Sequence, residues 1–156
     1  MLPQFYRFVL ANNSGQTITF NNDGRINVKQ TCWIIDPATG KITYTQLADD
    51  DLGFIAGSSI VNGAELIGDV EINNTANLYL GAQIQLEVTH DEGAAIVAGN
   101  GGFTLFLSGG DATGELPTDA TGYGSAAAAG LDPVGTMPCD PNVVDDEVMR
   151  SNVWEW

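Results

Sequence analysis

Few side chains in this sequence combine the types and the spacing that catalysis needs. The one histidine, His90, is followed directly by Asp91 and Glu92. A single imidazole cannot supply a cluster of histidine ligands for zinc. A histidine beside carboxylates at the end of a strand is more commonly a polar turn residue than a catalytic base, so we predict no catalytic role for it.

A second chemical candidate is the run of three aspartates at residues 49–51. Loops that bind Ca²⁺ space their oxygen ligands at alternate positions and add a glycine and a distal glutamate, whereas this run has only the charge. It predicts a solvated turn or a helix N-terminus. Residues 99–102 are rich in glycine but lack the Gly-Lys-Ser/Thr sequence of a phosphate loop. We therefore expect no enzyme activity, no cofactor and no metal site.

The charge of the chain limits its partners. Twenty acidic residues against five basic ones give a formal net charge of −15. Such a surface repels phosphate backbones and anionic lipid heads, so we expect neither a nucleic-acid partner nor a membrane partner. Three interpretations of the acidity stay open: docking on a basic partner, a surface along which DNA slides without sticking, or solubility of an abundant protein.

The sequence also predicts where the protein is made. Its first ten residues have neither the basic region nor the uninterrupted apolar region of a signal peptide. No apolar run approaches membrane-spanning length. The two cysteines, Cys32 and Cys139, are too few for a disulfide framework and are expected to be free thiols. These features predict synthesis in a reducing cytoplasm.

The elements that would hold any site are predicted to be β-strands, organised around residues 78–89. The odd positions of this stretch are mostly polar or small, and the even positions are all apolar: Leu78, Leu80, Ala82, Ile84, Leu86 and Val88. A period of two is typical of a strand with one buried face and one wet face. We predict that this stretch is the central strand of an antiparallel domain.

Turn signals predict the neighbouring strands. Residues 36–40 read Asp-Pro-Ala-Thr-Gly and predict a tight turn inside a hairpin. Asp23-Gly24 predicts a second hairpin, between strands at 16–20 and 25–30. Residues 103–108 form a last strong strand, which we expect to pair antiparallel with the central one.

These elements predict one all-β domain, a single antiparallel β-sandwich or barrel-like fold with an extended C-terminal arm. Residues 1–110 are expected to form the core of the sandwich. Residues 111–156 are expected to form a loop rich in Gly, Pro and Asp and then the arm. The arm ends in two tryptophans, and tryptophan is a strong interface anchor because it buries a large area with few rotatable bonds.

The N-terminal strand and the arm together predict an assembly interface. Its candidate residues are Phe5, Tyr6, Phe8, Trp154 and Trp156. In that case, deletion of residues 131–156 should leave a folded monomer that no longer assembles. The alternative is that the arm packs back on its own sandwich as an edge strand.

Trp33 and Tyr44 offer a function of another class. Two neighbouring aromatic rings can form a stacking platform for a sugar, although their position in opposed strands of a hairpin also fits ordinary cross-strand packing. A carbohydrate-binding β-sandwich module is therefore an alternative.

Two blocks of the sequence resemble small structural proteins of tailed bacteriophages. The first is Asn73-Asn74-Thr75-Ala76-Asn77-Leu78-Tyr79-Leu80-Gly81-Ala82-Gln83-Ile84-Gln85-Leu86, and the second is Gly102-Phe103-Thr104-Leu105-Phe106-Leu107-Ser108-Gly109-Gly110. In those proteins an N-T-x-N-L-Y-L turn and strand precedes a strand that ends in Ser and a Gly/Asp loop. The similarity covers roughly residues 64–122.

This resemblance implies a many-copy component of the virion, without catalytic residues. Its implied partners are copies of itself and a major capsid or tail protein, in a homo-oligomer or bound to a lattice. The role would be capsid decoration (cement) or a tail component. We favour decoration, because the sequence shows no long loop with a helix of the kind that tail-tube proteins usually carry, and because the arm could reach across capsomers.

Overall fold

The computed structural model describes residues 1–19, 25–48, 54, 59–68, 70–89, 101–113, 131, 133–138 and 148–156. Within these residues the chain forms β-strands and no helix, which confirms the predicted all-β class. The strands are β1 (Phe5–Asn13), β2 (Ile18–Thr19), β3 (Arg25–Ile35), β4 (Ile42–Gln46), β5 (Ser59–Ile60), β6 (Glu65–Ile67), β7 (Ile72–Asn73), β8 (Gly81–Thr89), β9 (Gly102–Gly110), β10 (Pro133–Met137), β11 (Val148–Arg150) and β12 (Trp154–Glu155).

Most of these strands belong to two antiparallel sheets that pack face to face. The first sheet has the order β10-β9-β1-β6, and β7 also pairs with β1. The second has the order β11-β8-β3-β4, and β12 also pairs with β8. Strands β2 and β5 form a separate pair. Two packed antiparallel sheets make a β-sandwich, as predicted.

The main core lies between the two sheets, and a smaller buried cluster on β1, β6 and β9 is formed by Val9, Ala11, Ile67 and Phe106. On β8 the apolar residues from Ala82 to Val88 are at most 1 % exposed, which confirms the inner face predicted for that strand. Leu78 departs from the prediction, because it has a positive φ of 51° and is 57 % exposed. The alternation of apolar and polar residues begins at Leu78 in the sequence, whereas strand β8 starts at Gly81.

The hairpin predicted around residues 36–40 is confirmed. The Asp36 carbonyl accepts a hydrogen bond from the Gly40 amide at 2.7 Å, and the Asp36 carboxylate accepts one from the Ala38 amide at 2.8 Å. Gly40 leaves the turn with a φ of 68°. Strands β3 and β4 then pair in register from Ile35 opposite Ile42 onward.

Two predicted pairings are wrong. Strand β9 pairs with β1 and β10 in the first sheet, whereas β8 lies in the second sheet, so the two do not pair. Ile18 and Thr19 pair with β5 and not with β3. Alternation predicts which face of a strand is buried but carries no information on its neighbour, which long-range packing decides. The Asp23-Gly24 turn lies outside the described residues.

The C-terminal part of the chain completes both sheets. Strand β10 adds an edge to the first sheet, and β11 and β12 add an edge to the second. These three strands lie beyond residue 110, and the described end of the arm packs on its own sandwich. Deletion of residues 131–156 would remove an edge from each sheet, and the folded monomer expected after it stays a prediction.

Candidate functional site

Two of the five predicted interface residues lie in the core. Tyr6 is 0 % and Phe8 is 1 % exposed, and their rings meet edge to face with centroids 5.9 Å apart. The Tyr6 hydroxyl donates a hydrogen bond to Gln30 Oε1 at 3.0 Å. Burial raises the pKa of this phenol above its ordinary value. Neither side chain is available to a partner in the folded chain, and Phe5 beside them on β1 is half-buried.

The two C-terminal tryptophans are half-buried and pack against the core. Trp154 lies against Gly135 of β10, where any Cβ would overlap the indole ring. Trp156 exchanges two backbone hydrogen bonds with Ala82 of β8, at 2.9 and 3.1 Å. Trp154 thus links the edges of the two sheets. A role for Phe5, Trp154 and Trp156 in assembly stays a prediction.

A different set of large apolar side chains lies on the β3–β4 hairpin, where Trp33 is half-buried and the others are exposed. Trp33 pairs with Tyr44 and Ile35 pairs with Ile42. Because Cys32 on β3 is fully buried, its neighbour Trp33 points to the outer face of the second sheet, and so do Ile35 and the two cross-strand partners. We call these four residues, Trp33, Ile35, Ile42 and Tyr44, the hairpin patch.

The hairpin patch brings three strongly exposed apolar side chains together on two paired strands. Ile35 is 44 %, Ile42 is 54 % and Tyr44 is 58 % exposed, and they lie on two adjacent strands. The other strongly exposed apolar residues, such as Val61 and Val153, lie apart from this hairpin in the sequence. Single exposed apolar residues are normal, so a group of them on paired strands is the feature that calls for an explanation.

Gly81 fixes the position of the Trp33 ring. Gly81 is the cross-strand partner of Trp33 on β8. A Cβ at position 81 would come within 2.7 Å of Trp33 Nε1 and 2.5 Å of the Trp156 carbonyl oxygen. Because this position has no side chain, the indole lies over the β8 backbone. The indole is therefore held on the side of β3 that faces β8, whereas Tyr44 lies on the other side, on β4.

The opposite end of the same outer face is polar. Glu87 is only 5 % exposed, and its Oε1 lies 2.9 Å from Lys29 Nζ and 2.6 Å from Arg150 Nε. Burial opposes ionisation of Glu87, but the hydrogen bonds and charges of Lys29 and Arg150 outweigh it and lower its pKa. This cluster joins β3, β8 and β11, and one oxygen of the carboxylate takes both ion pairs.

The described residues also form a groove of about 270 Å³, lined by residues that include Glu71, Asn74 and Tyr79. Its polar groups already have partners within the chain. The Asn74 amide nitrogen donates to Pro3 O and Tyr79 O, and its Oδ1 accepts from the Tyr79 amide. Glu71 Oε1 accepts from the Thr113 hydroxyl at 2.7 Å. Asn74 thus fixes the turn before β8 from within the wall of the groove.

The other chemical candidates do not form a site among the described residues. No group of three His, Cys, Asp or Glu side chains gathers there in a way that could hold a metal ion. Cys32 is fully buried, and burial raises the pKa of its thiol to about 11. His90, Cys139, the aspartates at 49–51 and Asp91-Glu92 lie outside the described residues.

Sequence reasoning singled out Trp33 and Tyr44 but missed Ile35 and Ile42. The signal was present, because a turn at 36–40 fixes the register of the hairpin and so places Ile35 opposite Ile42. None of the described residues forms a helix long and apolar enough to cross a bilayer. Comparisons of the chain with protein-family models, with curated proteins and with solved structures find no match.

Proposed function

We propose that this protein is a non-enzymatic structural component of a phage particle, a capsid decoration protein that docks on the shell through the hairpin patch. The observation that carries the docking role is the exposure of Ile35, Ile42 and Tyr44 side by side on one flat sheet face. The resemblance of residues 73–86 and 102–110 to phage structural proteins supports the virion as the setting.

The composition of the hairpin patch fits a protein partner. The centres of protein interfaces are depleted in charge and enriched in aromatic residues, and Trp and Tyr are frequent hot spots. The patch has two aromatic and two aliphatic side chains, and exposed polar groups such as Gln46 and Gln83 lie nearby on the same face. The net charge of −15 favours a partner with a basic surface around an apolar centre.

The test uses particles of the phage that encodes this chain, prepared without the protein. Recombinant wild-type protein should cosediment with them and saturate at many copies per particle. The double variant Ile42→Thr/Tyr44→Thr keeps strand propensity and removes apolar area, so its bound fraction should fall at least tenfold. Val61→Thr and Val153→Thr, which change residues 55 % and 57 % exposed elsewhere, should bind like the wild type.

Electron microscopy of the loaded particles then separates the roles. Density on the head supports decoration, whereas density confined to the tail replaces decoration with the tail role. Absence of the wild-type protein from both would overturn the virion proposal. Equal binding of the double variant, with an unchanged melting temperature, would show that docking does not use the hairpin patch.

A second candidate function is carbohydrate binding, which one observation favours. Trp33 and Tyr44 are direct cross-strand partners on the outer face of the second sheet, with the Trp33 indole lying over Gly81 of β8. Aromatic rings arranged in this way can stack on sugar rings. A glycan array should then give a signal with the wild-type protein that Tyr44→Ala abolishes. A blank array excludes this candidate.

A further inference from the structure

Strand β4 is an edge strand without the usual protection against pairing. It is the last strand of the second sheet in the described residues, and all five of its side chains are exposed. Its sequence, Ile-Thr-Tyr-Thr-Gln, has no charge and no proline. Natural edge strands are commonly blunted by charges, proline, bulges or short length, because an open edge is a template for another strand.

The other described edges of the two sheets have such protection. Strand β10 contains Pro133 and a register shift before Gly135. Strands β6 and β11 are three residues long and carry Glu65 and Arg150, respectively. Strand β12 has two residues, one of which is Glu155. Among these strand edges, β4 is therefore the unprotected one, in a chain whose net charge is −15.

The hydrogen bonds of the hairpin show which backbone groups of β4 point outward. The Leu47 amide donates to the Gln30 carbonyl, and the Lys41 carbonyl accepts from the Asp36 amide, so positions 41 and 47 bond to β3. In an antiparallel pair the bonded positions alternate, so residues 43 and 45 also face β3. The N–H and C=O groups of Ile42, Tyr44 and Gln46 then face the open edge.

We propose that two copies of this chain pair through β4 in an antiparallel, two-fold symmetric dimer centred on Tyr44. Each copy would donate its three outward N–H groups to the outward carbonyls of the second copy. Thr43 would lie opposite Thr45 of the second copy, a favourable cross-strand pair. The two hairpin patches would meet at Tyr44 on one continuous sheet face.

The sequence of β4 favours a second copy over a strand of another protein. Reversal about Tyr44 places threonine opposite threonine and brings no charge against a like charge, so the strand is complementary to itself. Two chains of charge −15 repel each other over most orientations, and an uncharged edge is where that repulsion is weakest. This dimer forms in solution and does not rest on the proposed function.

The first test is a change that removes one outward N–H group and no residue of the hairpin patch. Sedimentation should show the wild type in equilibrium with a species of twice the 16.4 kDa chain mass. Gln46→Pro should raise the dissociation constant at least tenfold, since both copies lose a hydrogen bond, while proline is tolerated where its nitrogen faces outward. Gln46→Thr keeps the N–H and should dimerise like the wild type. A monomeric wild type would overturn the proposal, and so would a dimer that Gln46→Pro leaves unchanged.

The second test fixes the register. In a Cys139→Ser background, Tyr44→Cys should oxidise to a covalent dimer, because bonded antiparallel partners have Cα atoms about 5.5 Å apart, within disulfide range. Gln46→Cys should not, since the two copies of position 46 lie four residues apart along the pair. Cys32 is fully buried and should not compete. Crosslinking through position 46 instead would overturn a dimer centred on Tyr44.

Discussion

The two edges of the second sheet have opposite designs. At one edge, which we call the closed edge, β11 and β12 cover β8 with residues that are bonded or packed. At the other, the open edge, β4 pairs only with β3 in the described residues and exposes all five side chains. The chain thus packs its C-terminal tryptophans on its own sandwich and leaves the apolar side chains of Ile42 and Tyr44 exposed on the hairpin.

Ser151 shows how the hydrogen-bonding groups at the closed edge find partners. It lies between β11 and β12 and is 6 % exposed. Its hydroxyl accepts the Leu86 amide at 2.9 Å, its amide donates to the Leu86 carbonyl at 2.9 Å, and its hydroxyl donates to Asn152 O at 2.6 Å. The side chain therefore replaces a backbone partner where the edge is interrupted, so β8 keeps its hydrogen bonds across the break.

The largest expected difference between the edges is in core packing. Met149 on β11 is 5 % exposed and belongs to the core, so Met149→Ala should lower the free energy of unfolding by about 3 kcal/mol. Urea denaturation measures this loss. The neighbouring Val148→Ala, at a site 40 % exposed, is the matched control and should cost less than about 1 kcal/mol. Equal losses would contradict a closed edge built into the core.

A second prediction concerns the contact that links the two sheets at the closed edge. Gly135→Ala should destabilise the protein by about 2 kcal/mol, because its Cβ would overlap the Trp154 indole. In a Trp154→Ala background the same change should cost close to nothing. A double-mutant cycle measures the coupling. Additive losses would show that Trp154 does not lie on Gly135 in solution.

The ion pairs of the closed edge predict a dependence on pH. The pKa of Glu87 is lowered in the folded state, so its contribution to stability is complete above its ordinary value of 4.5 and is lost as the pH falls through the lower, folded-state pKa. Glu87→Gln should lower the free energy of unfolding by about 1 kcal/mol at pH 7. The difference from wild type should vanish in acid.

Exposed Glu155 on β12 provides the control for this prediction. Glu155→Gln should match the wild type within about 0.5 kcal/mol at pH 7. A Glu87→Gln deficit that persists unchanged well below pH 4 would show that the loss comes from packing and not from the charge of the carboxylate.

The smallest effect on stability is expected at the open edge. Ile42 is 54 % exposed and contacts solvent on the outer face, so Ile42→Ala should change the free energy of unfolding by less than about 0.5 kcal/mol, measured at a concentration where the protein is monomeric. A loss comparable to that of Met149→Ala would mean that the hairpin patch is packed within its own chain.

The fold class and the faces of single strands could be predicted from the sequence, because alternation is a local signal. The run from Ala82 to Val88 and the turn at 36–40 are the clearest cases. The assignment of β9 to the other sheet could not be predicted, since both inner strands read as equally apolar. The sequence also could not show whether Tyr6 and Phe8 are buried or exposed, because aromatic side chains are common both in cores and at interfaces.

The hydrogen bond between Tyr6 and Gln30 has a consequence for how the two layers align. Tyr6 belongs to β1 and Gln30 to β3, so the bond spans the interior from one sheet to the other. Apolar contacts have no direction and tolerate a slip of one layer past the other. A shift of one sheet past the other would leave the Tyr6 hydroxyl and the Gln30 carboxamide buried without this hydrogen bond. Each unpaired group would cost about 1–3 kcal/mol of folding free energy. This hydrogen bond therefore favours the observed alignment of the two sheets over any shifted one.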